Sequence, residues 1–239
     1  ESIAEEFELF VHVRIKTPIK VECDYGFSLP TDDFILKKYS ETKKEDIVFS
    51  EYRCLEPTTR YFYTHFKEEI CEYFKEAERK KKEKPVAICG VKNCDLFSSK
   101  IQDFVFLEGV DQDPVYKARR EATLIIASDC SSFKEACFCR AFDINPHVTE
   151  GFDFNLSPLN NGYLLDLGSE KAKKIAESIK NILSAATVGQ LSGRTAKRAS
   201  LVQRMEEHLS HHKIPKKENL KEIVLNGYNS QIWHEQMKT

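Results

Sequence analysis

One tryptophan, two methionines and nine glycines in 239 residues leave this chain poor in residues that often announce a function. None of the glycines falls in a GxGxxG or GxxxxGK arrangement, so no phosphate-cradling loop is written in a recognisable form. Long hydrophobic runs are missing too. Apolar stretches such as Val86 to Cys89 and Leu124 to Ala127 stop after four residues, against the roughly 20 that a membrane helix needs. There is no excess of one charge: 36 Lys plus Arg face 38 Asp plus Glu, a net of -2, which argues against a dedicated nucleic-acid binder. The opening segment, Glu1 to Phe10, is acidic and has neither the basic region nor the apolar core of a secretory signal. It also lacks an initiator Met, so a natural start further upstream is expected. With no span and no leader in view, the expected compartment is the cytoplasm.

What remains is an ordinary globular composition, 41% hydrophobic and 31% charged, enough for one large domain or two small ones. Cysteine is the exception. There are eight, well under the roughly 8–10% of a disulfide scaffold. Cys23, Cys54 and Cys71 are scattered, whereas Cys89, Cys94, Cys130, Cys137 and Cys139 crowd together near expected strand ends and loops. In a reducing compartment such clustered thiols point to metal ligation or redox chemistry rather than bridges.

The pattern around them is that of an α/β chain. Loose alternation from Phe7 to Cys23 predicts one or two strands broken at Thr17-Pro18, and Ile47 to Phe49 a further extended stretch. Phe66, Ile70, Phe74 and Ala77 recur at helical spacing and predict a helix that ends before Pro85. Val86 to Ile88 predicts a buried strand, with a loop to Cys94 and a helix capped by Asp95. Asp113-Pro114 starts another short helix, and Thr123 to Ala127 returns as a strand. Strand, helical crossover and strand in one sheet make a parallel pair whose C-terminal ends share an edge. Gly151 to Leu156 and Tyr163 to Leu167 predict a hairpin turning at Asn160-Asn161-Gly162. Ser169 and Glu170 open a helix, and Thr187 to Thr239 is mostly helical.

Cys94 and Cys130 follow the two parallel strand ends, where open α/β sheets place their ligands. In an extended chain Cys137 and Cys139 would share a face, their Cα atoms about 6.6 Å apart, with Phe138 turned away. Four thiolates thus converge on one crevice, a donor set for a four-iron four-sulfur cluster or for structural zinc. Spacing leaves both open, along with unligated thiols, because neither paired CxxC knuckles nor a ferredoxin run is present. Cys89, at the end of an apolar strand, reads as a small core residue. Lys92 and Asp95 beside Cys94 either cap and solvate or tune a bound group through their charge. Arg119 and Arg120 can pair acidic neighbours or an anionic cofactor. His208, His211 and His212, the Arg79 to Lys84 run, and Arg194, Lys197, Arg198 and Arg204 read as solvated helix faces, the last set with the option of an acidic partner subunit.

Gly90-Val91-Lys92-Asn93-Cys94-Asp95-Leu96, Phe104 to Glu108 (FVFLE), Asp113 to Arg120 (DPVYKARR), and Leu124 to Cys130 followed by Cys137-Phe138-Cys139 resemble a known pattern. It is that of the iron-sulfur beta subunit of cytoplasmic sulfhydrogenases, shared by the A subunit of anaerobic sulfite reductases. Gly151-Phe152-Asp153 and Gly162-Tyr163-Leu164 continue it, so the likeness covers roughly Glu56 to Ser169. The resemblance implies an electron-relay subunit with no catalytic residues of its own. It implies docking on a flavin-containing subunit and electron flow toward a catalytic redox subunit of hydrogenase, sulfite, sulfur or heterodisulfide reductase type. It also implies that Cys94, Cys130, Cys137 and Cys139 hold a 4Fe-4S cluster. Members of that family continue beyond the position of Thr239 into a ferredoxin module with two cluster motifs. The chain as given stops there, which marks it as a fragment or as a member without those relays.

The expected architecture is therefore a mixed α/β domain over residues 1–186, with a small partly parallel sheet, flanking helices and a cysteine-lined crevice at the strand ends. A helical extension over 187–239 is expected to lead toward such a module. Its stretch Leu220 to Met237, with Ile223, Leu225, Tyr228, Ile232 and Trp233, is expected to pack on that domain or a partner. The rival reading is a scaffolding subunit stabilised by zinc on the same four cysteines.

Overall fold

Six strands form one mixed sheet in the order β4-β1-β5-β6-β7-β8, and a separate pair, β2 (Ile19–Lys20) and β3 (Ser28–Leu29), forms a two-stranded ribbon. This is a computed structural model that describes residues 2–16, 19–20, 28–29, 33–55, 58, 84–212, 217–228, 230–231 and 233. The helix expected before Pro85, the Thr17-Pro18 break, Pro215, Cys23 and Cys71 lie outside those residues.

β1 (Glu8–Arg14), β5 (Val86–Val91), β6 (Leu124–Ser128) and β7 (Phe154–Leu159) run parallel, so all four deliver their C-terminal ends to one edge. β4 (Phe34–Lys38) and β8 (Gly162–Leu167) close the sides antiparallel. The expected strand, crossover and strand unit is present. β5 leads into α2 (Asn93–Leu107) and α3 (Pro114–Ala122), and β6 then pairs parallel to β5. Asp113 starts α3 as expected: Oδ1 accepts from the backbone N–H groups of Val115 and Tyr116 at 2.8 and 3.0 Å, with Pro114 behind it. Arg120 pairs with Asp103.

Alternation along the parallel strands makes two cores. Ile88, Ile125 and Ala127 face α2 and α3 through Leu96 and Tyr116. Ala87, Cys89, Leu124 and Ile126 face the other way, toward Ala172 and Ala176 of α4 (Glu170–Ser178). The chain is thus an α/β fold with helices on both faces of the sheet. A short helix, α1 (Ser2–Glu6), precedes β1.

α5 (Val188–Ser210) begins with a reciprocal capping box between Thr187 and Gln190. It buries Leu201 and Met205 and contacts β7 and the turn Cys139–Phe142. α6 (Lys217–Gly227) follows with no buried residue, and Ile223, Leu225, Tyr228 and Trp233 are exposed rather than packed on the sheet. Among the described residues no helix is long and apolar enough to cross a membrane.

The 47–49 stretch is joined to β1 by an isolated bridge between Ile47 and Val13 and by the Val48 N–H on the His12 carbonyl at 3.0 Å, without a ladder of its own. Two local expectations change. α2 starts at Asn93 with Lys92 at the cap, which places Asp95 inside the first turn. Cys137 to Cys139 is not extended: Phe138 has ψ 14°, and Cys139 opens a short 3-10 turn. The shared-face argument for that cysteine pair therefore gives way to a turn geometry.

Candidate metal centre

The site begins with a glycine. At Gly90 the register of β5 against β6 shifts between Cys89 and Val91, and Gly90 takes φ 93°, a region that an L side chain rarely adopts. A Cβ there would stand 3.0 Å from the His12 ring. The bulge changes the phase of the strand, so that Ile88 and Val91, three apart, join the same core. It also sends Lys92 inward.

Lys92 is fully buried. Its Nζ donates to the carbonyls of Phe49 at 2.8 Å and Ser128 at 3.4 Å, and it forms no ion pair with a carboxylate among the described residues. Burial lowers its pKa, while Cys130, Asp129, Cys89 and Cys94 act to keep the proton on. Asp129, the carboxylate among them, already has partners. It accepts from the Val148 N–H, Asn155 and Ser157, and pairs with Arg198 at 2.8 Å. Asp95 likewise is paired with Arg53 at 2.9 Å, although its Oδ2 is buried without a hydrogen bond. Burial pushes the Asp95 carboxyl up, against the pull of Arg53.

Cys130, Cys89 and Cys94 lie close enough to this buried cation to act on it. Cys94 lies in the first turn of α2, where unsatisfied N–H groups and the helix dipole favour negative charge. Cys130 follows β6, its N–H donating to the Pro146 carbonyl at 2.8 Å. Cys137 and Cys139 come from the loop that leaves β6. The Lys134 N–H donates to Cys137 Sγ at 3.3 Å, and the Cys137 N–H returns to the Lys134 carbonyl at 2.9 Å. All four are free and half-buried. Burial pushes the Cys130 thiol up to about 12, with Lys92 opposing and Cys139 and Cys137 adding to the rise. Burial also raises Cys94, reinforced by Asp95, Cys130 and Cys139, and Cys139 is raised by burial and by Cys137. Cys94, Cys130 and Cys139 are thus within electrostatic reach of one another, and Cys137 is within reach of Cys130 and Cys139. Cys89 instead packs among Ala87, Ile126 and Phe154, its thiol pushed up to about 12 by burial.

Second contacts fix the loop. Arg140 donates to Asn145 Oδ1 at 3.0 Å and to Glu206 of α5 at 2.6 Å; Asn93 donates to the Asn145 carbonyl at 3.0 Å. Lys134 pairs with buried Asp33. Sequence reasoning missed Asp129, Arg53 and Arg140 as members of this environment, since nothing local marks them. It gave Arg194 and Arg198 to a solvated face, yet they pair with Asp166 and Asp129.

Among the described residues no group of three or more His, Cys, Asp or Glu is placed to hold a single metal ion. The segments after β5 and β6 carry four thiols, of which Cys137 accepts a hydrogen bond from the Lys134 N–H and Cys94 and Cys130 act on the buried Lys92 ammonium. No protein-family model, curated protein or solved structure matches the chain.

Proposed function

We propose that this chain is an iron-sulfur electron-transfer subunit of a cytoplasmic multi-subunit oxidoreductase, with Cys94, Cys130, Cys137 and Cys139 as ligands of one 4Fe-4S cluster. The observation that carries the reading is the buried ammonium of Lys92, without a carboxylate of its own and with Cys130 and Cys94 of this set close enough to act on it. A buried charge is costly unless it is paired. Neutral thiols would leave Lys92 among carbonyls alone, whereas thiolates on an inorganic core supply the missing negative charge. The likeness of the Gly90 to Leu96 and Leu124 to Cys139 segments to sulfhydrogenase beta subunits and sulfite reductase A subunits supports the same reading.

A bound cluster of this kind takes up and returns one electron. The chain's own residues would set how readily that happens. Lys92 and the first turn of α2 favour the more negative state, the Lys134 N–H hydrogen-bonds a ligand sulfur, and α5 packs against the turn that carries Cys139. Donor and acceptor then lie on other polypeptides or other segments, a flavin-containing subunit on one side and a catalytic redox subunit on the other. Iron and acid-labile sulfide analysis of anaerobically purified protein tests the reading. About four of each per chain are expected; stoichiometric zinc without sulfide would overturn it in favour of a structural site.

A further inference from the structure

A second feature borders Cys130. Between α5 and the ends of β6 and β7 is a cavity of about 480 Å3, within the usual range of small-molecule sites. Its α5 wall carries Arg194, Lys197, Arg198 and Arg204, all spaced to fall on one face of the helix. The opposite wall holds His147 and Cys130.

The four cations are not equivalent. Arg194 is answered by Asp166 and Arg198 by Asp129. Lys197 reaches only a neutral oxygen, Asn160 Oδ1 at 2.9 Å. Arg204 makes no hydrogen bond or ion pair among the described residues. Two positive charges are therefore left without an anion at the same cavity. Across the cavity His147 has its pKa lowered by burial and by Arg198, Arg140 and Arg194, with Asp129 opposing. Ser131 and Ser157 add hydroxyls to the wall, while Pro146, Pro158 and Leu201 give it an apolar side. A half-open cleft of this volume with one cationic wall and one apolar wall suits a small molecule with an anionic head better than an extended acidic peptide, which would have nothing to set against the apolar wall.

We propose that this cavity binds a phosphate ester of nucleotide size, its phosphate oxygens taken by Arg204 and Lys197 and its organic part set against the apolar side. Guanidinium and ammonium donors on a doubly charged oxyanion make the strongest class of hydrogen bond available here. The cavity shares Cys130 as a wall with the proposed cluster site, but the phosphate is held by Arg204 and Lys197, neither of them a proposed ligand, so ADP binding and iron content are read separately.

Calorimetric titration of the full chain at low salt, with ADP, pyrophosphate, inorganic phosphate and a poly-glutamate peptide as separate arms, tests it. ADP is expected to bind with Kd below about 1 mM, more tightly than inorganic phosphate. Arg204→Ala should weaken ADP about tenfold, the loss of one charge-assisted hydrogen bond, and Lys197→Ala less. Arg204→Lys should retain part of the binding. Both side chains are exposed and outside the core, so folding and iron content should not change in these variants. Binding that is absent, unaffected in the Arg204→Ala, Lys197→Ala double variant, or confined to the acidic peptide would overturn the proposal. So would equal affinity for ADP and inorganic phosphate, which would mark a bare anion site.

Discussion

Cys94 and Cys130 are set by the sheet, while Cys137 and Cys139 are set by a loop. The first two leave neighbouring parallel strands that are paired on both sides of the Gly90 bulge, and Cys94 is further locked by the first turn of a 15-residue helix. The second two sit between residues 130 and 147, where the chain has no regular structure beyond one 3-10 turn. Their positions depend on ties made to distant segments: Lys134 to Asp33, Ser131 to the Ser50 carbonyl, Arg140 to Glu206, and His208 to the Glu135 carbonyl at 3.0 Å. One half of the site is rigid before any ligand binds, and the other is stitched in place. The cluster would join a fixed pair to an adjustable pair.

The strongest break of this comparison removes a ligand from each half. Cys130→Ser and Cys137→Ser are each expected to lose most of the iron, because an open corner admits water and oxygen. They should differ in the cluster-free protein: Cys130→Ser alters a packed strand end, Cys137→Ser a loop, so only the former should lower thermal stability measurably. Full iron retention in Cys137→Ser would remove it from the ligand set.

That contrast also explains what the sequence could show. The crossover between β5 and β6, the Asp113 cap and the two-residue turn at Asn160-Asn161 each follow from a short pattern, and all are present. Cys94 and Cys130 were therefore placed by topology. The Cys137-Phe138-Cys139 turn was not, since alternation cannot tell an extended run from a 3-10 turn. Nor was the charge network: Asp129 and Arg198 are 69 positions apart, and a basic helix face looks solvated until its carboxylate partners are known. Gly90 is one glycine among nine, and only its positive φ and the ring beneath it reveal the bulge that buries Lys92.

Acid should strike the rigid half. His12 on β1, packed under Gly90, has its pKa lowered to about 3 by burial and by Lys92, from an ordinary value of 6.5. Between those values the unfolded chain carries a proton that the folded chain does not, so stability rises with pH through the window and is lost as pH falls below about 6.5. The loss is about 1.4 kcal/mol per pH unit, or about 3 kcal/mol at pH 4.5. Urea unfolding at pH 7 and pH 4.5 should show this difference, and His12→Gln should shrink it. An undiminished difference in His12→Gln would assign the acid sensitivity to another group.

Lys92→Met separates the two roles of the rigid half. In cluster-free protein the substitution removes a buried cation and should stabilise by about 1–3 kcal/mol. In loaded protein it removes the charge that favours the reduced cluster, so the reduction potential should fall, by roughly 60 mV for each tenfold change in that preference. Opposite signs in the two states are the signature. A destabilised cluster-free protein with an unchanged potential would reduce Lys92 to its hydrogen bonds with Phe49 and Ser128.

The smallest effect expected lies in the stitched half. Glu206 is more than half exposed, and its pair with Arg140 is of the kind worth about 0–1 kcal/mol, so Glu206→Ala should hardly move the melting temperature. Yet Arg140 follows Cys139 directly and also holds Asn145, so releasing its α5 tie should let the loop open locally without unfolding the sheet. The measurement is thiol alkylation in cluster-free protein, read residue by residue. Cys137 and Cys139 should react severalfold faster in Glu206→Ala, while Cys94 and Cys130 keep their rates. If all four accelerate together, the two halves open as one unit and the distinction between a fixed pair and an adjustable pair is wrong. If none does, the Lys134, Ser131 and His208 ties hold the loop by themselves.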